Sequence, residues 1–269
     1  MASEKKLKQK ISVFVERKRT FTCAFVGIMA LFTLASIVTD FSIIEGIVSI
    51  PKSIVWIVNN LVPDEKSWSK MPRILAKLTE TALLSIAVTV CAGICAFLFS
   101  LLGTRTNGIT TLSGRLVRIV AAFFRNVPDV VWAMLLLFSF GQNVLTGFFA
   151  LFFTTFGMLT RTFIETIDEV SAECVEAITS TGADYMQTVF QAIVPSSMPE
   201  IITWVLFMIE TNIRASTLIG VLTATGIGYA FDMYYKRLDY GAASLVVISI
   251  VVLVIGIELI SNQIRKVIM

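Results

Sequence analysis

Residues 79–102 read TETALLSIAVTVCAGICAFLFSLL, a run in which Glu80 is the single charged side chain. At 1.5 Å per residue, a helix of this length is about 36 Å long and exceeds the roughly 30 Å hydrocarbon thickness of a bilayer. Apolar runs of similar length lie at residues 21–39, 119–140, 144–163, 201–222 and 242–261. The sequence therefore predicts an all-α integral membrane protein with six transmembrane helices.

The composition of the 269-residue chain supports a membrane location. It is 56% hydrophobic and 15% charged, with a mean hydropathy of +0.82, which lies far outside the usage of soluble domains. Lipid offers no hydrogen-bond partner to the backbone, so these segments are expected to be helical despite their many β-branched residues. The spans and their connections occupy the length, and no separate soluble domain is expected.

Residues 46–62 favour a helix lying in the membrane interface rather than a further span. The apolar side chains of this segment fall on one helical face, with Lys52, Ser53 and Asn60 elsewhere. Trp56 and Trp68 are of the type that settles at headgroup level. Their position indicates that the membrane boundary is nearby.

The distribution of Lys and Arg predicts the orientation. With the N-terminus inside, thirteen basic residues are internal: Lys5, Lys6, Lys8, Lys10, Arg17, Lys18, Arg19, Arg105, Arg115, Arg118, Arg161, Arg265 and Lys266. Seven are external: Lys52, Lys66, Lys70, Arg73, Lys77, Lys236 and Arg237. Cytoplasmic loops carry the excess of positive charge, so both termini are expected in the cytoplasm of a cell that holds the protein in its plasma membrane. The first apolar run lacks a small-residue cleavage site, which is typical of a signal anchor.

Several classes of function find no support in the sequence. The chain has no histidine, and its four cysteines have no metal-ligand spacing, so we expect no metal, cofactor or catalytic centre. The net charge of +3 is small and the basic residues form no stripe with aromatic residues, so nucleic acid is not an expected partner.

The connection at residues 164–199 is predicted to be cytoplasmic and is unusually acidic. Its carboxylates are Glu165, Asp168, Glu169, Glu173, Glu176 and Asp184. Acidic charge does not assist cytoplasmic retention, so a docking partner is the functional explanation. A solvated helical hairpin is the structural alternative.

Within this connection, Glu176-Ala177-Ile178, Gly182 and Pro195 have the spacing of a known signature. The segment resembles the EAA loop of ABC importer permeases, from which it departs at Ile178, Ala192 and Val194. Gly182 is expected to separate two short helices, and Pro195 is expected to end the second. The small residues Ala177, Gly182 and Ala183 allow a partner to approach the backbone closely.

The resemblance implies a type I ABC importer permease-like fold in which this loop is a helical coupling element. It also implies a cytoplasmic ABC ATPase dimer, an extracytoplasmic solute-binding protein, and a second permease subunit that is identical or homologous. The chain contains no Gly-x-x-x-x-Gly-Lys-Ser/Thr phosphate loop, so ATP hydrolysis is expected in the separate partner and no enzymatic activity in this chain.

Further stretches resemble the phosphonate-type permeases: residues 124–129 with Trp132-Ala133, residues 210–215, and residues 225–228. The resemblance covers about residues 70–265. It implies transport of a phosphonate or a related phosphorus oxyanion. Phosphate, an amino acid or a quaternary amine remain alternative solutes. The expected division is a basic segment at 1–20, a first helix and interfacial helix at 21–77, and a permease core at 78–265.

Two arginines within the predicted spans, Arg125 and Arg214, are candidate pathway residues. Their fork-shaped donors match phosphorus oxyanions, and Asn126 and Asn212 could add neutral hydrogen bonds. The alternative is intrahelical pairing with carboxylates four residues away, Asp129 for Arg125 and Glu210 for Arg214. Pro128 is expected to break the third span locally.

Two functions from other classes account for fewer features. An ion-coupled secondary transporter, with the same charged residues as a relay, leaves the acidic loop unexplained and predicts inverted repeats that are not seen. An intramembrane enzyme requires a catalytic constellation that the sequence does not contain.

Overall fold

The computed structural model describes the backbone of residues 2–104 and 111–268, and the side chains of residues 17–104 and 112–268. The side chains of Lys5, Lys6, Lys8 and Lys10, where internal charges are predicted, lie outside the described side chains, and Arg105 lies outside the described residues altogether. The helices are α1 Ala2–Val38, α2 Ile43–Asn60, α3 Glu65–Trp68, α4 Met71–Gly103, α5 Thr111–Asn126, α6 Asp129–Phe140, α7 Val144–Val170, α8 Ala172–Ser180, α9 Tyr185–Thr188, α10 Val194–Thr223, α11 Gly226–Lys236 and α12 Tyr240–Ile268.

The predicted spans correspond to helices of membrane-crossing length. In the described ranges, five stretches are long and apolar enough to cross a membrane: Arg17–Val38, Met71–Gly103, Val144–Val170, Tyr185–Thr223 and Tyr240–Ile268. The bent pair α5 and α6 makes a sixth if it counts as one span. The chain is thus an all-helical, multi-pass membrane protein, as the hydropathy pattern predicted.

The chain divides into two units, one ending at Asn59 and one beginning at Asn60. The first unit contains α1, a turn at Asp40 with φ 50°, and most of α2. The helix predicted at 46–62 is therefore present, with Pro51 inside it. Ser42 Oγ accepts a hydrogen bond from Glu45 N, which satisfies one of the free N–H groups at the start of α2.

The second unit is a bundle built around α7, which packs against α4, α5, α6 and α10. Small residues permit close crossings in this bundle. A Cβ added at Gly157 of α7 would lie 2.6 Å from the backbone nitrogen of Arg125 on α5. At one end, α3, α11 and α12 pack with the start of α4; at the other, α8 and α9 follow the end of α7. We call these the α3 end and the α8 end.

The third span is broken as the sequence predicted. α5 ends at Asn126, α6 begins at Asp129, and the two helices are bent by 87°. Pro128 has no N–H to continue the helix, and it disfavours helical geometry at Val127. Asn126 Nδ2 donates to the carbonyl of Ala122 at 2.8 Å and satisfies one acceptor at the broken end.

The α3 end is fixed by polar contacts outside the spans. Asp64 caps α3 and accepts hydrogen bonds from the backbone and hydroxyl of Ser67, and the hydroxyl contact is the main reason that the pKa of Asp64 is lowered. Lys70 pairs with Asp239, which also accepts a hydrogen bond from Ala242 N at the start of α12. These contacts join α3, α4 and α12 at one corner of the bundle.

Candidate functional site

The connection between α7 and α10, residues 171–193, which we call the coupling loop after the resemblance, forms two short helices separated by a glycine turn, as predicted. α7 continues to Val170, α8 spans Ala172–Ser180, and Gly182 has φ +84°, a left-handed conformation that favours glycine. Asp184 then caps α9, with Gln187 completing a capping box. The local sequence in this region therefore determines where each short helix begins and ends.

One face of the loop is anchored in the bundle and the other is exposed. Val175 of α8 is 4% exposed and belongs to a buried cluster with Ile167, Val189, Ala192 and Ile193. Apolar side chains that pack against the cluster include Leu101 at the end of α4. The loop is thus fastened to α4, α7 and the chain leading into α10.

The residues of the EAA-like signature lie on the outer surface. Glu176, Ala177, Gly182 and Pro195 are exposed, and Ala183 is half-buried. A Cβ at Gly182 would meet nothing within 4 Å. The combination of a carboxylate with small side chains leaves an open, shallow surface on which another protein can rest close to the backbone.

The prediction that Pro195 ends the second helix was wrong. α9 passes through a π-helical turn, Val189–Ile193, directly into α10, and Pro195 lies in the first turn of α10. A proline is tolerated there because the first N–H groups of a helix have no intrahelical acceptor. The coupling loop is therefore continuous with the span at α10.

The charge of the acidic connection is smaller than the sequence suggested. Glu165 and Asp168 lie on α7 rather than in the loop, and each has an arginine partner. Arg161 Nε contacts Glu165 Oε1 at 2.7 Å, and Arg118 Nη2 contacts Asp168 Oδ2 at 3.3 Å. Two of the carboxylates are therefore paired with arginines, while Glu169, Glu173 and Glu176 are exposed.

The ion pair considered for Arg125 and Asp129 is absent from the described contacts. The break at Pro128 lies between the two residues, so the helical i,i+4 geometry that the pairing required does not exist. Asp129 Oδ1 instead accepts a hydrogen bond from Val130 N at 2.9 Å. Arg125 Nε is buried and has no hydrogen-bond partner.

Arg214 does form the intrahelical pair that the sequence offered as an alternative. Its Nη1 lies 3.2 Å from Glu210 Oε1, and the Arg214 side chain remains 52% exposed while Glu210 is 14% exposed. Nine residues separate Arg214 from the end of α10 at Thr223, which places it about 13 Å inside the helix. Thr211 lies on the adjacent turn and is half-buried. A charged and polar strip therefore lies on the outside of an otherwise apolar span.

Asn212 occupies a different environment from the one predicted. It is 3% exposed, and its Nδ2 donates to Thr89 Oγ1 at 2.8 Å and to Thr155 Oγ1 at 3.0 Å. These partners belong to α4 and α7. The amide thus joins three helices inside the bundle and does not face the exposed strip of α10, because the helical turn carries it to the opposite side.

The Gly226-x-Gly228 segment begins helix α11. Gly226 has φ +60°, and its N–H donates to Glu80 Oε1 at 3.2 Å, while Ile227 N donates to Thr81 Oγ1 at 2.8 Å. Side chains of α4 thereby cap α11. A Cβ at Gly228 would lie 1.9 Å from the carbonyl oxygen of Thr217, so this position requires glycine for the packing of α11 against α10.

Two of the residues that the site prediction omitted, both near Arg125 in the fold, also have buried atoms without partners. These are Trp132 Nε1 on α6 and Thr154 Oγ1 on α7. Thr154 interrupts the aromatic run FFALFFTTF at residues 148–156, and a hydroxyl in such a run is the signal that the sequence offered. Trp132 lies in a stretch that resembles the phosphonate-type permeases, but its residue type does not indicate a site, because an indole in a membrane helix most often only packs.

A cavity of about 250 Å³ lies between α5 and α7. Its lining comprises Arg118, Ala121, Ala122, Arg161, Ile164, Glu165 and Asp168. Arg118 also donates to the carbonyl of Gly103 at the end of α4, at 3.1 Å from Nη2. The cavity therefore lies near the α8 end, directly above the coupling loop.

Comparison with known proteins shows that the chain is similar to permease proteins and to membrane components of transport systems. The profile of the family described as "Binding-protein-dependent transport system inner membrane component" matches residues 100–268. The "Phosphate-import permease protein PhnE" of Mycolicibacterium smegmatis is 32% identical over 190 residues, which are 71% of this chain and 36% of that protein. The chain thus spans about a third of that relative's length. The "Phosphite transport system permease protein PtxC" of Stutzerimonas stutzeri is 27% identical over 189 residues, covering 70% of this chain and 69% of the relative.

Solved structures share the fold. An inward-facing MetNI methionine ABC transporter chain superposes with a TM-score of 0.65 at 16% identity, covering 77% of this chain and 99% of that chain. A chain of an amino acid ABC transporter with histidines gives a TM-score of 0.61 at 15% identity, covering 76% and 98%. At these identities the likeness establishes the helical architecture alone.

Proposed function

Since this chain belongs to the family of binding-protein-dependent transport system inner membrane components, we propose that it is the permease subunit of an ATP-driven importer of a phosphonate or related phosphorus oxyanion. The substrate class is supported by the names of two relatives, one a phosphate-import permease and the other a phosphite permease. It is also supported by the two arginines within the spans, since guanidinium groups match the oxygens of phosphorus oxyanions.

The observation that carries the proposal is the exposed polar strip on α10. A charged side chain that faced lipid about 13 Å inside a span would be strongly unfavourable, so such residues face a protein partner or water. Arg214 is half exposed, and Thr211 lies on the adjacent turn. The strip therefore marks the side of the bundle that a second permease subunit covers, with the solute pathway between the two copies.

The coupling loop supplies the contact with the energy source. Glu176, Ala177 and Gly182 form the exposed surface for a cytoplasmic ABC ATPase, one ATPase subunit for each permease. Ala183 lies at the edge of this surface, and Pro195 lies where the loop enters α10. Because α8 is anchored through Val175 to the ends of α4 and α7, displacement of α8 by the ATPase moves the span ends with it. An extracytoplasmic solute-binding protein delivers the solute at the α3 end.

The orientation follows from the same arrangement. If α8 faces the cytoplasm, the α3 end is external, and the even number of crossings returns both termini to the cytoplasm. This agrees with the excess of Lys and Arg that the sequence places on the internal side.

Reconstitution tests the proposal. The full chain is purified with the ABC ATPase and binding protein encoded beside it and placed in proteoliposomes containing ATP. We expect accumulation of methylphosphonate or phosphite that requires ATP and the binding protein. A complex that transports only an amino acid or a quaternary amine would reject the substrate class, and a chain that recruits no ATPase would reject the permease assignment.

A further inference from the structure

Buried polar atoms without partners are few among the described side chains, and they single out one region. They are Arg125 Nε, Trp132 Nε1, Thr154 Oγ1, Thr160 Oγ1, and Nε and Nη2 of Arg265. Buried donors normally have acceptors, because an unmade hydrogen bond leaves the full loss of hydration uncompensated. The N–H groups of Arg125 and Trp132 only donate, so the group that would satisfy them is an acceptor.

One of these residues, Trp132, packs in an aromatic cluster, and the other two, Arg125 and Thr154, adjoin members of that cluster in sequence. The Trp132 ring lies 5.6 Å from Phe124 and 4.8 Å from Phe153, measured between ring centroids. Phe124 directly precedes Arg125, and Phe153 directly precedes Thr154. The indole of α6 therefore packs against the neighbours of both unpartnered groups on α5 and α7.

The crossing of α5 over α7 brings Arg125 to the face of α7 that carries Thr154. The backbone nitrogen of Arg125 lies so close to Gly157 that a Cβ there would approach it to 2.6 Å. Gly157 follows Thr154 by three residues, and residues three apart share one face of a helix. Arg125 and Thr154 thus border the same groove between α5 and α7.

The cavity of about 250 Å³ lies between the same two helices, nearer the α8 end. Ala121 and Ala122, one turn before Arg125 on α5, form part of its wall. Its volume equals about eight waters at roughly 30 Å³ each, which is enough for a small tetrahedral oxyanion. The charged groups of its wall are paired, Arg118 with Asp168 and Arg161 with Glu165, so they neutralise each other. Arg125 has no such partner among the described side chains.

We propose that Arg125, Trp132 and Thr154 form an oxyanion-binding site within each subunit, at the head of the α5–α7 groove. In this site the N–H groups of Arg125 and Trp132 and the hydroxyl of Thr154 face the anion, and the guanidinium group of Arg125 binds two oxygens of that anion. This inference rests on the proposed function and makes it more specific: of the two arginines within the spans, it assigns direct oxyanion binding to Arg125, because Arg214 already pairs with Glu210.

The test uses the full-length chain in lipid nanodiscs, with Trp56, Trp68 and Trp204 replaced by Phe so that Trp132 is the sole emitter. Methylphosphonate and phosphite are titrated, and the emission of Trp132 is recorded. We expect a saturable change, because an acceptor at Nε1 alters the indole environment. In the natural background, R125Q, W132F and T154V are each expected to weaken binding measured by calorimetry about tenfold or more, since each removes a hydrogen bond to a charged ligand.

T160V is the matched control, because it removes another unpartnered hydroxyl from α7 that belongs to neither the aromatic cluster nor the cavity lining. We expect T160V to bind as the unmodified chain does. W132F and T154V preserve shape, so they decide the question if R125Q does not fold. Unchanged affinity in both of these variants would overturn the site, and so would loss of binding in R214Q with R125Q unaffected.

The failure of this site and the failure of the proposed function have different signatures. If the unmodified chain binds neither anion, the site is overturned, while ATP-dependent import by the reconstituted complex still decides the function. If the complex imports neither anion, the proposed function falls as well.

Discussion

Arg118 Nη2 donates a hydrogen bond to Asp168 Oδ2 at 3.3 Å and thereby joins α5 to the last turn of α7, directly before the coupling helix α8. The same guanidinium binds the carbonyl of Gly103 at the end of α4. One side chain of α5 thus joins the ends of α4 and α7, next to the loop that we assign to the ATPase contact.

Replacement of Arg118 by Met is expected to loosen this junction. The change removes one donor from the Asp168 carboxylate and one from the Gly103 carbonyl. We expect a loss of about 1 kcal/mol, or roughly 2 to 4 °C in melting temperature. Thermal unfolding in detergent measures it. Arg161→Met is the control, because its pair with Glu165 is more than half exposed and contributes little. Equal shifts in both variants would show that Arg118 has no special structural role.

Replacement of Glu176 by Lys is expected to weaken ATPase binding while the bundle still folds. The side chain is exposed on α8, so reversed charge changes the docking surface without disturbing the core. Copurification of the ATPase and solute-stimulated ATP hydrolysis measure the effect, which we expect to be a loss of at least tenfold in stimulated rate, or about 1.4 kcal/mol. Glu65→Lys makes the same charge change at the α3 end and is expected to leave hydrolysis unaltered. Normal coupling in Glu176→Lys would remove α8 from the ATPase contact.

Replacement of Asn212 by Leu is expected to destabilise the bundle by roughly 1 to 2 kcal/mol, because Thr89 and Thr155 lose their shared amide partner. The free energy of unfolding in mixed micelles gives the value. Thr211→Val, one residue away, is the control, because this half-buried hydroxyl donates to the Phe207 carbonyl of its own helix and joins no second helix in the described contacts. We expect it to change the free energy of unfolding by about 0.5 kcal/mol or less. An unchanged free energy of unfolding in Asn212→Leu would mean that the amide contributes no net interhelical stabilisation.

Replacement of Gly228 by Ala is expected to displace α11 from α10, because the new Cβ meets the Thr217 carbonyl oxygen at 1.9 Å. Backbone cannot move aside cheaply, so we expect a loss of about 1 to 3 kcal/mol or more. Gly256→Ala, on α12 with nothing within 4 Å, is the matched control. Protease accessibility near residues 224–238 reports the displacement. Equal protection in both variants would contradict the close packing of α11.

The sequence predicted well those features that depend on local chemistry. Six apolar runs, the break at Pro128 and the turn at Gly182 each follow from a short segment, since bilayer thickness, the missing N–H of proline and the freedom of glycine act within a few residues. The same local reasoning misjudged Pro195, because a proline in a first helical turn and a proline that ends a helix have the same sequence signature.

Which charged residues form ion pairs was decided only by the tertiary structure. Asp129 and Glu210 stand at the same distance in sequence from Arg125 and Arg214, yet an 87° bend separates the first pair and leaves the second intact. Likewise, Asn212 is buried and Arg214 is exposed on the same helix, because α10 packs against α4 and α7 on the side that carries Asn212. Hydropathy along the chain determines that helices span the membrane, whereas the contacts between helices determine which polar groups are satisfied and which are left for a ligand.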